Sequence, residues 1–158
     1  MLVEMELREI LQGVDMEPLI LLVEKGGGER QLPIMIGKYE VDMLRFAVFK
    51  ERALRPLTHD LVLNVITGLG ATLKRIIVDQ ISKQQGGGVI SSCYHGKLDL
   101  EMADQTRTWI DSRPSDAIIL ATKLGLPIYV DEEVLKSQDQ EEPEDGLDGD
   151  DGPGEEED

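Results

Sequence analysis

Two short stretches carry the residue types that chemistry needs. Asp111-Ser112-Arg113-Pro114-Ser115-Asp116 sets two carboxylates, two hydroxyls and an arginine just ahead of the apolar run Ala117 to Ala121. Arg55-Pro56-Leu57-Thr58-His59-Asp60 repeats the theme before Leu61-Val62-Leu63. Asp111 and Asp116, with Ser112 and Ser115, offer the hard oxygen ligands a divalent cation takes. His59 suits a general base or a phosphate contact, with Asp60 orienting it or binding metal. Arg55 and Arg113, each beside a helix start, suit a phosphate. Each group also has a plainer reading at the same spacing. Thr58, Asp60, Ser112 and Asp116 can simply cap helices, His59 can fill space, and the arginines can neutralise the acids. Glu40 adds a carboxylate that only the fold can bring close.

The elements that must hold these residues follow from hydrophobic periodicity. Met1 to Leu11 alternates in part and reads as a strand with one buried face. A turn is expected at Asp15–Pro18. The apolar run Leu19–Val23, the glycines Gly26–Gly28 and the segment Arg30–Ile36 form a hairpin, with the first strand expected to be buried on both faces. Tyr39–Glu51 has helical spacing at Val41, Leu44, Ala47 and Val48. Thr58 is the expected N-cap of a helix ending near Gly68–Gly70, apolar around nearly its whole circumference and therefore buried by the sheet, other helices or a second subunit. Ala71–Ile81 and Val89–Met102 are strands, with a turn at Lys83–Gly88 and a bend or bulge near Gly96. Thr106–Asp111 is a strand leading into a helix with Ser112 as cap, Pro114 in its first turn and Gly125 beyond its end. Pro127–Val130 is a short strand, and Asp131 caps a brief helix through Leu135. Strands in clusters with helices between them, without regular βαβ alternation, argue an α+β fold: one domain over 1–136, with a mixed or antiparallel sheet packed by three main helices.

Composition narrows the function. The chain has 158 residues and a formal charge of −16, but 12 acids and no Lys or Arg lie between Ser137 and Asp158. Without them the balance is −4, so the folded part is only mildly acidic. Residues 137–158 lack apolar periodicity and read as a disordered acidic tail, either solubilising or mimicking nucleic acid over a basic groove. Cys93 has no partner for an internal disulfide and reads as a small strand hydrophobe. No apolar run reaches membrane-spanning length and no secretory signal opens the chain, so the expected location is the cytoplasm, with no membrane partner. The glycine triplets at 26–28 and 86–88 open no helix and lack the lysine of a phosphate loop; they read as hairpin turns. His95 is given no role. No motif calls for an organic cofactor.

Four ordered segments carry a resemblance: Leu32–Glu40, Arg55–Leu61, Asp111–Ile118 and Pro127–Leu135. Together they resemble the bifunctional nuclease domain family over nearly the whole chain to about Lys136. Met35 and Lys38-Tyr39, and the serine-rich strand Ile90–Tyr94, depart from the family pattern; the tail lies outside it. The resemblance implies a compact α+β domain that associates as a homo-oligomer, with DNase and RNase activity in some members. The family's motif positions fall on Glu40, Arg55, His59, Asp60, Asp111, Arg113, Ser115 and Asp116.

Two functional expectations result. In the first, the chain is a nuclease assisted by a divalent metal, Mg2+ or Mn2+. Glu40, Asp60, Asp111 and Asp116 hold the cation, His59, Asp60 and Asp116 are catalytic, and Arg55, Arg113 and Ser115 hold the substrate phosphate of DNA or RNA. In the second, the chain is a non-catalytic oligomeric module for nucleic acid, nucleotide or protein, and the charged motifs are caps and salt bridges. The two differ in where the helix starts lie: Asp60 and Asp116 oxygens able to share one cation favour the nuclease, whereas acids on opposite faces or tied up in salt bridges favour the module.

Overall fold

The computed structural model describes residues 1–12, 17–86 and 89–138, for 83–86 and 89–92 the backbone alone. Eleven elements follow in the order expected: β1 (Leu2–Gln12), β2 (Pro18–Glu24), β3 (Gln31–Met35), α1 (Lys38–Val48), α2 (Thr58–Gly68), β4 (Thr72–Gly86), β5 (Val89–Glu101), β6 (Arg107–Ser112), α3 (Pro114–Leu124), β7 (Ile128–Asp131) and α4 (Glu132–Gln138). They make one seven-stranded mixed sheet in the order β3-β2-β1-β7-β4-β5-β6. The fold is α+β. All pairings are antiparallel except β4 with β7, the one that a crossover through α3 produces.

Period-two alternation decides which side chains meet the core. Ile20 stands opposite Ile34 and Leu22 opposite Leu32. Val3 pairs with Val130, and Ile76 lies between Ile128 and Leu98. These residues share one cluster with Val41 and Leu44 of α1 and Ala117–Ala121 of α3, all buried. Burying each large aliphatic side chain contributes about 1.5–3 kcal/mol. So α3 is fixed through its own apolar stripe, and its first turn is held where the core puts it.

Several expectations are corrected. β2 is not buried on both faces; Pro18, Ile20 and Leu22 are buried, and the alternate Leu19, Leu21 and Val23 are half-buried. The strand β4 runs past Ile81 to Gly86, so the expected turn at 83–88 shrinks to the connection before Val89. Asp15 and Met16 lie outside the described residues. The irregularity near Gly96 is present, but the extra residue is Asp79 of β4, opposite Gly96–His95. Gly96 is required there, since a Cβ would stand 3.1 Å from the Pro114 backbone. Within this chain α2 is covered on one side: His59 is its buried residue, while Leu61, Val65 and Leu69 are exposed. The helix α4 continues through Gln138, two residues into the segment assigned to the tail, whose remainder lies outside the described residues. Among the described residues no helix is long and apolar enough to cross a membrane.

Candidate functional site

The N-termini of α1, α2 and α3 converge. Tyr39 Oη lies 3.2 Å from Thr58 Oγ1, tying the start of α1 to that of α2. Arg113, just before α3, donates to Glu40 of α1 at 2.8 Å. His59 Nε2 lies 2.9 Å from Asp116 Oδ1, tying α2 to α3. The two charged stretches therefore meet, and Glu40 joins them. The macrodipoles of three helices favour the carboxylates held at these ends.

Local sequence explains each position. Gly37 precedes α1, and a Cβ there would fall 2.2 Å from Glu40 Oε2; the glycine lets the Glu40 carboxylate fold back against the helix start. Pro114 occupies the first turn of α3, as its missing N–H allows. The expected caps differ. Leu57, not Thr58, precedes α2, and Asp60 Oδ2 accepts the Leu57 backbone N–H at 3.0 Å. Arg113, not Ser112, precedes α3 and makes no side-chain cap; Ser112 Oγ is buried with no hydrogen-bond partner among the described residues.

Asp116 is the hub. Its Oδ2 accepts from Arg113 Nε at 2.8 Å, and its Oδ1 accepts from Arg113 Nη2 at 3.1 Å. Burial pushes its carboxyl up, but the Arg113 and His59 bonds outweigh this and hold it below the usual carboxylate range. An ionised carboxylate only accepts, so His59 Nε2 is the donor of this bond, and in the tautomer that carries its one proton there Nδ1 keeps a lone pair. His59 is 5% exposed, and Nδ1 is buried without a partner among the described residues. The Arg113 guanidinium, bonded to Asp116 and Glu40, is pushed further above its ordinary value.

The other predicted residues lie apart from this knot. Asp60 takes Lys123 Nζ at 2.8 Å, and that bond first, with the Leu57 N–H, holds its carboxyl low. Asp111 is exposed, 4.0 Å from His95 Nδ1. Arg55 is exposed in a groove with Asp60. Ser115 is half-buried in the first turn of α3. A divalent cation held by Glu40, Asp60, Asp111 and Asp116 does not fit this arrangement. Arg113 takes the place between Glu40 and Asp116, Lys123 neutralises Asp60, and no three His, Cys, Asp or Glu side chains among the described residues are gathered for a metal.

Sequence reasoning missed two partners, Lys123 and Tyr39. Lys123 lies seven residues, two helical turns, beyond Asp116, so the pair shares one face of α3; that spacing was a usable signal. Tyr39 had none.

The sequence comparison decides the family. A model described as "Bifunctional nuclease domain" matches residues 20–143. The chain belongs to the bifunctional nuclease domain family. Two relatives from Mycobacterium tuberculosis, uncharacterized protein MT1877 of strain CDC 1551 and uncharacterized protein Rv1829 of strain H37Rv, are each 31% identical over 116 residues, 73% of this chain. The aligned segment spans 63% of the length of each relative. In this member of the bifunctional nuclease domain family, all four segments that carried the resemblance fall wholly or mainly inside the matched range, and three of them border the convergent helix starts.

Proposed function

We propose that this chain is a nuclease that hydrolyses phosphodiester bonds of DNA and RNA in the cytoplasm. The observation that carries the reading is His59, held through Nε2 by Asp116, with a buried Nδ1 that has no hydrogen-bond partner among the described residues. Buried polar atoms without partners are rare and call for an explanation. A ring oriented by a carboxylate on one nitrogen and unpartnered on the other has the base-and-orienter arrangement of general acid–base catalysis, once Nδ1 is uncovered to substrate. A water reaching Nδ1 would give up its proton as its oxygen attacks phosphorus, and the ring would return that proton to the departing sugar oxygen. Arg113 then acts on Asp116 and Glu40, and Arg55, unpaired among the described residues, is the better phosphate contact. Ser115 keeps a hydroxyl at the start of α3 for the same phosphate.

The test is cleavage of single- and double-stranded DNA and RNA by purified protein, with Mg2+, Mn2+ or chelator. Activity lost in both His59→Ala and Asp116→Asn is expected. Activity untouched by both overturns the reading. A dependence on Mg2+ or Mn2+ that Asp60→Asn removes would restore the metal role, through a rearrangement that frees Asp60 from Lys123.

A second reading has its own support. Glu40, Asp60 and Asp116 are already paired with cations, and α2 exposes Leu61, Val65 and Leu69. A non-catalytic homo-oligomeric binding module would use the pairs as struts and the α2 face as its contact. It predicts a melting midpoint that rises with protein concentration and no cleavage in any buffer.

A further inference from the structure

Beside the knot lies an open groove of about 670 Å³, between the C-terminal end of α1, the loop to α2 and the last turn of α3. Lys50, Arg52, Arg55 and Lys123 line it, against the carboxylates Glu51 and Asp60. Lys123 is committed to Asp60. Lys50, Arg52 and Arg55 are exposed, and none is paired with a described residue. Three free cations within six residues stand out on a chain whose remaining charge is acidic.

Lys50 shows that a cation is kept there at a cost. All three main helices end in the same way, with the sixth N–H returning to the first C=O and the fifth to the second. In α2 these bonds are Ala71 to Ile66 and Gly70 to Thr67; in α3 they are Leu126 to Ala121 and Gly125 to Thr122. In α1 they are Glu51 N to Phe46 O at 2.9 Å and Lys50 N to Ala47 O at 3.3 Å. The motif needs a left-handed residue. Gly70 and Gly125 supply it at φ 75° and 66°, but α1 uses Lys50 at φ 53°. A side chain in that region is disfavoured relative to glycine. No hydrogen bond or ion pair of the Lys50 side chain with a described residue offsets this, beyond the general attraction of a cation to a helix C-terminus.

We infer that this groove binds the phosphate backbone of single-stranded nucleic acid, with Lys50, Arg52 and Arg55 as its contacts. The inference rests on the nuclease reading for the identity of the polyanion. A concavity of this size, with cations along one loop, admits a flexible strand. A rigid duplex needs a broad basic surface, which the mildly acidic fold does not present.

The experiment measures binding of a phosphorothioate single strand, which resists cleavage, and of the matching duplex, from 50 to 200 mM salt. Three phosphate contacts to a single strand give a slope of log affinity against log salt of about −2, or roughly a 20-fold loss over that range. Lys50→Ala, Arg52→Ala and Arg55→Ala should each remove about one third of that slope. Lys50→Gly separates function from folding: it should raise the melting midpoint by about 3 °C while weakening strand binding as much as Lys50→Ala does. Equal or tighter duplex binding, or slopes unchanged in all the variants, would overturn the inference. Intact strand binding without cleavage would refute the nuclease reading and leave the groove standing.

Discussion

Replacing Asp116 with alanine tests the knot of helix starts most directly. Three contributions are lost. The exposed Arg113 pair is worth about 0–1 kcal/mol after solvent screening. The favourable charge in the first turn of α3 adds about 0.5 kcal/mol. The largest is the His59 Nε2 donor, left buried beside an Nδ1 that already lacks a partner, at about 1–3 kcal/mol. The sum is about 1.5–4.5 kcal/mol, or roughly 8 °C in melting midpoint at its centre for a chain of this size. Urea titration followed by the fluorescence of Trp109, the sole tryptophan, reads it as a lower midpoint with unchanged slope. His59→Ala combined with Asp116→Ala should then lose at least about 1 kcal/mol less than the two single changes added together. A loss under about 1 kcal/mol for Asp116→Ala, or strict additivity in the double variant, would refute the reasoning, because it would mean that the 2.9 Å contact carries no energy.

Asp99 is fully buried and accepts from Arg75 at 2.7 Å and from Arg107 at 2.9 Å, while Arg75 lies 5.9 Å from the Trp109 ring and 5.4 Å from that of Tyr129. Asp99→Ala should cost about 2–3 kcal/mol, less than a fully buried ion pair because both arginines reach solvent, and should shift Trp109 emission; an unchanged urea midpoint would contradict this. Asp60, Asp99 and Asp116 all have carboxyls held below their ordinary value, Asp60 chiefly by Lys123 and the other two by arginines that overcome burial. Their stabilisation is therefore complete above about pH 4–5 and is lost as pH falls through the lowered folded values. Urea midpoints from pH 6 to 2 should fall below about pH 4, and less steeply in Asp60→Asn. Gly96→Ala should cost about 1–3 kcal/mol by forcing β5 off the Pro114 backbone, and Gly37→Ala about 1–2 kcal/mol by pushing the buried Glu40 carboxylate off Arg113; thermal melts unchanged by either would overturn this.

Much of this was legible in the chain itself. Alternation fixed the strands, because a two-residue period with one apolar face has one way to meet a core, and Pro114 and Gly125 marked the ends of α3 because backbone sterics act locally. The same local logic failed at the caps: Thr58 and Ser112 have the right chemistry, but Leu57 and Arg113 hold those positions, with Asp60 reaching back to the Leu57 N–H. For α2 it reaches only part way: the apolar circumference anticipates burial, and within this chain one side is covered, so of the covers expected only a second subunit is left for Leu61, Val65 and Leu69. The segment from Arg113 to Asp116 identified a charged turn by itself. Only the tertiary structure decided that its partner is His59, fifty-seven residues away, that Glu40 closes the other side of Arg113, and that Lys123 takes Asp60 out of the set. Ion pairs depend on distances that fall steeply within a few ångströms, and those distances are set by how the buried stripe of α3 seats on the sheet. A sequence names the charges, but only the packing of Ala117–Ala121 against the core determines which of them touch.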